Sequence, residues 1–164
     1  MAAQKQLTFG VVVGNRGFFP DQLARSGREE MIQAVAATGA KAIVLSAEES
    51  KFGAVETFAE AQRCAELFKK HAAEIDGILV TLPNFGDERG VADAIRLAGL
   101  HVPVLVQATP DKSDAMTIAT RRDSFCGKMS VCNNLMQYGI PYSLTTLHTE
   151  APQSAEFKAD LAWF

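Results

Sequence analysis

The stretch Leu-Thr-Phe-Gly-Val-Val-Val-Gly, residues 7–14, decides the fold. Its residues are almost all apolar or β-branched as far as Val13, and the run stops abruptly at Gly14. A strand with one solvated face alternates polar and apolar residues, whereas a continuous apolar run is typical of a strand buried on both faces of a parallel sheet. The stretch therefore predicts a buried strand of a parallel sheet.

Strand and helix patterns alternate along the rest of the chain. After Pro20 and Asp21, apolar residues recur at helical spacing until Gly39, which is a typical helix stop. Further strands are predicted at Ala42–Leu45, Gly77–Leu82, Val102–Gln107 and Tyr142–Leu147, and further helices at about Val55–His71, Glu88–Leu97, Ser124–Tyr138 and Ala155–Phe164. Because right-handed crossovers cover such a sheet on both faces, we predict one α/β domain, residues 1–164, with a doubly wound, five-stranded parallel sheet in the flavodoxin-like order 2-1-3-4-5.

The composition narrows the class of protein. The chain has 164 residues, of which 48% are apolar, and this is enough for an ordinary hydrophobic core. A net charge of −3, without any block rich in lysine or arginine, argues against nucleic acid and against a membrane as partners. No apolar stretch approaches the roughly 20 residues of a bilayer span, and Met1–Gln6 lacks the apolar core of a signal peptide. We therefore expect a cytoplasmic protein.

The cysteines and histidines predict no metal site within this chain. The 3 cysteines are odd in number and lack C-x-x-C spacing, so neither a disulfide framework nor a zinc knuckle is indicated. The 3 histidines are scattered, without the spacing that would place two of them on one side of a helix.

Ligands of such sheets bind in the crevice beyond the carboxyl ends of the strands, near the point where the strand order reverses. This rule selects the loops after the first, third, fourth and fifth strands. The candidate ligand contacts there are Asn15, Arg16, Phe18, Phe19, Asn84, Phe85, Gln107 and His148. The first loop lacks the third glycine of G-x-G-x-x-G and the Lys-Ser/Thr of a P-loop, so nucleotide binding is not supported.

Simpler structural roles stay open for several of these residues. The two adjacent phenylalanines of the first loop can cap the end of the sheet, and Asn84 and Asp87 can cap the next helix. Phe85, in a polar setting, can instead lie against a sugar face or a neighbouring subunit. For His148, hydrogen bonding to a ligand hydroxyl and a purely structural role are equally compatible with the sequence.

The run Arg121-Arg122-Asp123-Ser124-Phe125-Cys126-Gly127-Lys128-Met129 is predicted to be too polar for a core. It falls where a loop becomes a helix, with Asp123 or Ser124 as N-cap, so backbone N–H groups and charged side chains converge on a small volume. Such a volume suits a polyhydroxylated or anionic ligand, and we select Arg122, Asp123, Ser124 and Phe125 as candidate contacts. The alternative is a solvated helix N-terminus, with Asp123 complementing the helix dipole and the two arginines forming a surface pair.

Four segments in the same order resemble one known family. They are residues 13–20 (VGNRGFFP), 51–57 (KFGAVET), 81–88 (TLPNFGDE) and 121–128 (RRDSFCGK). Together they are similar to the amino-terminal region of L-fucose isomerase-like proteins, the group that includes L-arabinose isomerase, and the similarity spans nearly the whole chain.

This resemblance implies a cytoplasmic, oligomeric aldose–ketose isomerase that acts on a monosaccharide with a divalent cation, typically Mn²⁺. Family members are much longer, and their catalytic carboxylates and metal-binding histidine come from later domains. Their amino-terminal domain contributes sugar-contacting loops, often to a neighbouring subunit's site. By resemblance, Asn15, Arg16 and Phe18 belong to the first such loop. Phe85 is then the aromatic residue after the third strand, and Asp123–Phe125 form the polar segment after the fourth.

The sequence contains no recognisable metal-ligand set, so we expect an isolated or truncated amino-terminal lobe of a multidomain isomerase, inactive alone. One alternative is a stand-alone sugar- or effector-binding module without catalysis. Another is a flavodoxin or receiver-like domain. It is disfavoured because the first loop is not a Ser/Thr-rich phosphate loop and carries no acidic pair.

Overall fold

The computed structural model describes residues 5–164 and contains five strands and five α-helices. The strands are β1 (Thr8–Val13), β2 (Lys41–Ile43), β3 (Gly77–Leu82), β4 (Val104–Ala108) and β5 (Ser143–Leu144). The helices are α1 (Asp21–Ala37), α2 (Phe58–Lys70), α3 (Glu88–Ala98), α4 (Ser124–Gln137) and α5 (Ala155–Trp163). β3 has the predicted bounds, and most other predicted ends differ by one or two residues, within the usual uncertainty of helix and strand limits.

All neighbouring strands of the sheet pair in parallel, in the order β2-β1-β3-β4-β5. In the centre of the sheet, Val11 pairs with Leu79, and Leu79 pairs with Leu105. The predicted α/β fold and strand order are therefore confirmed.

Both faces of the central strands are buried. Leu79 and Leu105 pack into a core shared with α1 and α5, whereas their neighbours Val80 and Val106 pack into a core shared with α2, α3 and α4. Alternate residues of a strand point to opposite faces, so a continuous apolar run serves both cores at once. This explains why the predicted strand pattern lacks polar residues.

α2 begins later than predicted because two side chains fix its start. Thr57 accepts a hydrogen bond from the backbone N–H of Glu60, and the Glu60 carboxylate accepts one from the backbone N–H of Thr57, which is a capping box. Val55, predicted to lie in the helix, instead forms a parallel bridge with Gly14. The loop after β1 is thereby attached to the segment that precedes α2.

β5 is shorter than the predicted strand, which was expected to continue to Leu147. Its continuation is diverted by two carboxylates: the backbone N–H of Thr146 donates to Asp160 at 2.6 Å, and that of Leu147 donates to Glu150 at 2.8 Å. These N–H groups are therefore engaged by side chains. The chain turns away from the sheet edge and leads into α5.

The last helix is docked on the sheet. Phe157 and Leu161 are buried in the core beside α1, and the ring of Phe164 lies 5.7 Å from that of Phe9. Trp163 on the opposite side of the helix is exposed. Among residues 5–164, no helix has both the length and the apolar character needed to cross a membrane.

Glu150 carries a buried carboxylate at the turn between β5 and α5. One of its oxygens accepts from Leu147, and the other has no hydrogen-bond partner. Burial raises the pKa of the Glu150 carboxyl, and the nearby Asp160 carboxylate raises it further. For Asp160 itself, burial acts upward, but the hydrogen bonds from Thr146 lower its pKa on balance. Glu150 is therefore the member of the pair that retains a proton more readily.

We predict that Gly127→Ala lowers the free energy of unfolding by about 2 kcal/mol, the usual cost of overpacking. Gly127 is buried in α4, and a Cβ there would overlap the backbone carbonyl of Phe85. Alanine favours a helix over glycine by about 1 kcal/mol. The carbonyl of Phe85 belongs to the backbone and cannot rotate away, so the steric overlap outweighs this gain. Cys126→Ala, an exposed neighbour on the same helix, is the control. Equal midpoints of urea unfolding for wild type and Gly127→Ala would contradict this packing.

We also predict that Glu150→Gln raises the melting temperature at pH 7. A carboxyl whose pKa is raised on folding stabilises the protein below its ordinary pKa of 4.5 and loses that contribution as the pH rises through the folded value. Glutamine keeps an oxygen to accept from Leu147 and adds N–H groups that can donate to Asp160. The gain should shrink as the pH falls towards 4, and exposed Glu66→Gln serves as control. A lower melting temperature for Glu150→Gln at pH 7 would refute the reasoning.

Candidate functional site

The loops that follow β1, β3 and β4 meet at the carboxyl edge of the sheet. The ring centroid of Phe85 lies 5.9 Å from that of Phe19, and the Arg16 guanidinium lies 5.2 Å from the centroid of Phe85 and 5.7 Å from that of Phe18. From the loop after β4, the Arg121 guanidinium lies 5.5 Å from the centroid of Phe19. We call these five residues, two cations and three aromatic rings, the aromatic–arginine rim.

Carboxylates balance the two guanidinium charges of the rim. Arg16 forms an ion pair with Glu88 in the first turn of α3, and Arg121 Nε lies 3.5 Å from Asp123 Oδ2. All four side chains remain partly exposed, so the pairs contribute little to stability but keep donors and acceptors side by side at the surface. Phe18 is 71% exposed, whereas Phe19 is buried. Of the two phenylalanines, Phe19 therefore packs inside the protein beside Phe85, and Phe18 offers an open ring.

Two predicted contact residues, Asn15 and Asn84, are fully buried beneath the rim. Asn84 Nδ2 donates to Asn15 Oδ1 at 2.7 Å, and Asn15 Nδ2 donates to Glu56 Oε2 at 2.6 Å. Asn84 Oδ1 also accepts from the backbone N–H of Gly86. Asn84 therefore does not cap the next helix; Asp87 does so, by accepting from Gly90 N. The side-chain amides of Asn15 and Asn84 therefore join the loop after β1 to the loop after β3.

Gln107 is also buried, and it connects three parts of the molecule. Its Oε1 accepts from Thr81 Oγ1 on β3 at 2.7 Å, and its Nε2 donates to the backbone carbonyl of Glu150 and to Thr109 Oγ1. This residue fixes the turn after β5 to the centre of the sheet. It does not reach the rim surface, because it is only 1% exposed.

Arg122 and Ser124 attach the start of α4 to the neighbouring loops. Arg122 Nη1 donates to the carbonyl of Pro83 at 2.6 Å, and Ser124 Oγ donates to the carbonyl of Thr109. Burial lowers the pKa of the Arg122 guanidinium, but an arginine side chain remains charged at neutral pH. The predicted surface pair of arginines is therefore separated: Arg121 faces the rim, and Arg122 faces inwards.

The polar run at the start of α4 is only partly at the surface. Asp123 occupies the N-cap position, but its side chain makes no capping hydrogen bond and its backbone is left-handed, with φ 50°. The prediction that this run is too polar for a core is wrong for Ser124, Gly127 and Lys128, which are all buried. The polar side-chain atoms of Ser124 and Lys128 find partners in tertiary structure that a local pattern does not reveal.

Phe125 and His148 extend the edge of the site beyond β5. Their rings stack with centroids 5.0 Å apart, and both side chains are exposed. Beside them lies a cavity of about 250 Å³, lined by Phe125, Lys128, Met129, Cys132, Leu144, Thr145 and His148. The Lys128 ammonium donates to Thr145 Oγ1 at 2.6 Å and to the carbonyl of His148 at 3.1 Å. Burial lowers the pKa of this lysine, and its hydrogen bonds hold the His148 backbone in place.

Sequence reasoning missed the carboxylates that organise the site. Glu56 bonds Asn15, and Glu88 pairs with Arg16, although both are remote from these partners in sequence. The signal available was weak: each glutamate lies in a segment that carries the family resemblance. Lys128 also lay within such a segment, but its burial could not be read from its charge.

Metal-ligating side chains are not clustered in this domain. Over residues 5–164, no group of three or more His, Cys, Asp or Glu side chains is placed to hold a metal ion. A larger cavity of about 540 Å³ lies at the opposite, amino-terminal edge of the sheet, between the loops that precede β4 and β5, where Ile95, Val102, Tyr138 and Ile140 are among its lining residues. It is separate from the rim and takes no part in the candidate site.

Comparison with known protein families covers nearly the whole chain. Residues 10–164 match the family model of the fucose/sulfoquinovose isomerase N-terminal domain. No curated protein matches the chain. The matched range includes β1 from its third residue, all later strands and helices, and every candidate site residue. The predicted resemblance is confirmed, and the chain belongs to the fucose/sulfoquinovose isomerase family as its N-terminal domain.

Proposed function

We propose that this chain is the substrate-loop domain of a metal-dependent aldose–ketose isomerase of the L-fucose/L-arabinose type. Family membership supports the reaction class, and the aromatic–arginine rim is the observation that supports a sugar-contacting role. An aromatic ring can cover the C–H face of a monosaccharide, while neighbouring guanidinium and carboxylate groups bond its hydroxyls. Within the rim, Phe18 supplies the open ring and Arg16 and Arg121 supply the cations, and Asp123 beside the rim supplies a carboxylate.

We further propose that the domain is inactive alone. Moving a proton between C1 and C2 of an open-chain sugar needs a base, an acid and a cation that polarises the sugar oxygens. The residues present in 5–164 do not fit a Mn²⁺ site, because no three metal-ligating side chains lie together. In this proposal the Mn²⁺ and the catalytic carboxylates belong to later domains of a longer cytoplasmic protein. The rim then faces an active site that its own subunit or a neighbouring subunit of a homo-oligomer completes.

The test compares this chain with the complete gene product that contains it. Aldose–ketose conversion is measured with Mn²⁺ over a panel of common aldoses. The proposal predicts turnover by the complete product and none by residues 1–164. If the complete product converts no aldose, the proposed reaction is wrong.

A second candidate is a sugar- or effector-binding module without catalysis. The rim favours it, since aromatic rings and paired charges suffice for binding and no metal-ligand cluster lies within residues 5–164. The two candidates differ in the behaviour of residues 1–164. The module predicts saturable binding of a monosaccharide by this chain without turnover in any longer form, whereas the isomerase predicts turnover in the longer form.

We predict that Arg16→Ala raises KM of the complete isomerase about tenfold and leaves its melting temperature within a few degrees of wild type. The exposed ion pair and the cation–π contacts are each worth only about 1 kcal/mol to stability, but the guanidinium is a rim group that faces the sugar. Arg96→Ala is a matched control: Arg96 lies 3.0 Å from Asp93 and stacks 5.0 Å from the Tyr138 ring at the opposite edge of the sheet. A comparable rise in KM for both variants, or a large loss of stability in Arg16→Ala alone, would contradict a substrate-contacting role.

A further inference from the structure

The loop between β4 and α4, residues 109–123, is the longest connection near the rim. Long loops without secondary structure are usually either functional or disordered, and a functional one must be fixed if its side chains are to hold a position. The tip of this loop is exposed, with Ile118 83% accessible. The end of the loop nevertheless has a defined position, because the Arg121 guanidinium stacks on the Phe19 ring within the rim. Something other than core packing must therefore hold the end of the loop.

Asp111, an exposed residue near the start of this loop, clasps its end. One oxygen of its carboxylate accepts from the backbone N–H of Arg122 at 2.6 Å, and the other accepts from the backbone N–H of Asp123 at 3.2 Å. Hydrogen bonds to an ionised carboxylate are stronger than neutral ones. Both oxygens are used, and both point at consecutive amides. These two hydrogen bonds, which we call the clasp, join the start of the loop to its end.

The clasped amides control the direction of the rim side chains. Asp123 has a left-handed backbone, φ 50° and ψ 25°, which costs a non-glycine residue free energy and persists only where neighbours hold it. The residue before the clasp, Arg121, stacks on Phe19, and its guanidinium is paired with Asp123. The side chains of Arg122 and Ser124 stay bonded to the carbonyls of Pro83 and Thr109, so releasing the two amides would loosen only the backbone around Arg121 and Asp123 and let these two side chains leave their positions at the rim.

We infer that Asp111 is a positioning residue for Arg121 and Asp123, the residues of this segment to which the proposed function assigns sugar contact. It acts through the backbone of Arg122 and Asp123 and contacts no sugar itself. This inference rests on the proposed function, since it assigns the fixed segment to substrate binding. A carboxylate near the N-terminus of α4 also interacts favourably with the helix dipole and so stabilises the helix. That effect alone would change stability without changing substrate affinity, so the two roles can be separated.

The experiment uses the complete gene product with Asp111→Ala, Asp111→Asn and Asp114→Ala. Asp114 is exposed in the same loop and serves as the matched control. Four quantities are measured for each form: the melting temperature, hydrogen exchange of the segment spanning residues 121–125, the Kd of the aldose that the wild type binds most tightly, and KM with kcat for the same aldose. L-Fucose and L-arabinose are the first aldoses to be tried.

We expect Asp111→Ala to accelerate exchange of the Arg122 and Asp123 amides at least about tenfold, because each hydrogen bond to a charged group is worth a factor of this size or more. Kd and KM should rise about tenfold, while kcat stays within about threefold and the melting temperature within a few degrees. Asp111→Asn keeps one accepting oxygen and should give intermediate values. Asp114→Ala should match wild type in all four quantities.

Several outcomes would overturn the inference. Wild-type exchange rates in Asp111→Ala would show that the clasp does not hold the loop. Faster exchange with unchanged Kd and KM would show a local structural role only. If Asp111→Ala fails to fold, Asp111→Asn with wild-type Kd and KM would count against the inference equally. A wild type that binds an aldose without turnover refutes the proposed reaction alone, since Kd still tests the clasp, and one that binds no monosaccharide refutes both.

Discussion

Burial of β1, β3 and β4 on both faces is the constraint on which the rest of the structure depends. Every residue of these three strands is buried. Strands of this kind must be covered from both sides, so each connection crosses the sheet through a helix and returns to the same edge. The loops that leave the carboxyl ends are thereby brought together regardless of their own sequence. The place of the candidate site is thus a property of the sheet, and the loop residues decide only its chemistry.

A layer of buried polar side chains joins this sheet to the rim. Asn15 and Asn84 bond each other beneath the loops after β1 and β3, and Gln107 bonds β3 and the turn after β5. A buried amide without partners would cost free energy, whereas a satisfied one fixes the parts that it joins. These residues therefore act through the loops that they hold. In the proposed function, substrate contact falls to the partly exposed side chains above them, such as Arg16 and Phe85.

The sequence was sufficient to predict the fold because local apolar patterns and two-sided burial are the same signal. The limits of β3 match the prediction to the residue, and right-handed crossovers leave only a few strand orders, of which the flavodoxin-like one is observed. The sequence was insufficient wherever a distant partner decides the outcome. β5 ends early because the carboxylates of Asp160 and Glu150 accept hydrogen bonds from the backbone N–H groups that follow it. Lys128 can be buried because Thr145 Oγ1 accepts a hydrogen bond from its ammonium group. Such pairings join residues that no local pattern relates.

The buried floor of the candidate site is held more firmly than its exposed border, and this difference bears on binding. Loops that must become ordered around a ligand subtract that cost from affinity. Beneath the rim, buried amides already fix the loops after β1 and β3, so little remains to be ordered there. The remaining freedom lies in exposed rings such as Phe18 and the stacked Phe125 and His148. A ligand that enters this crevice would therefore meet a fixed floor and adjust only the side chains along its border.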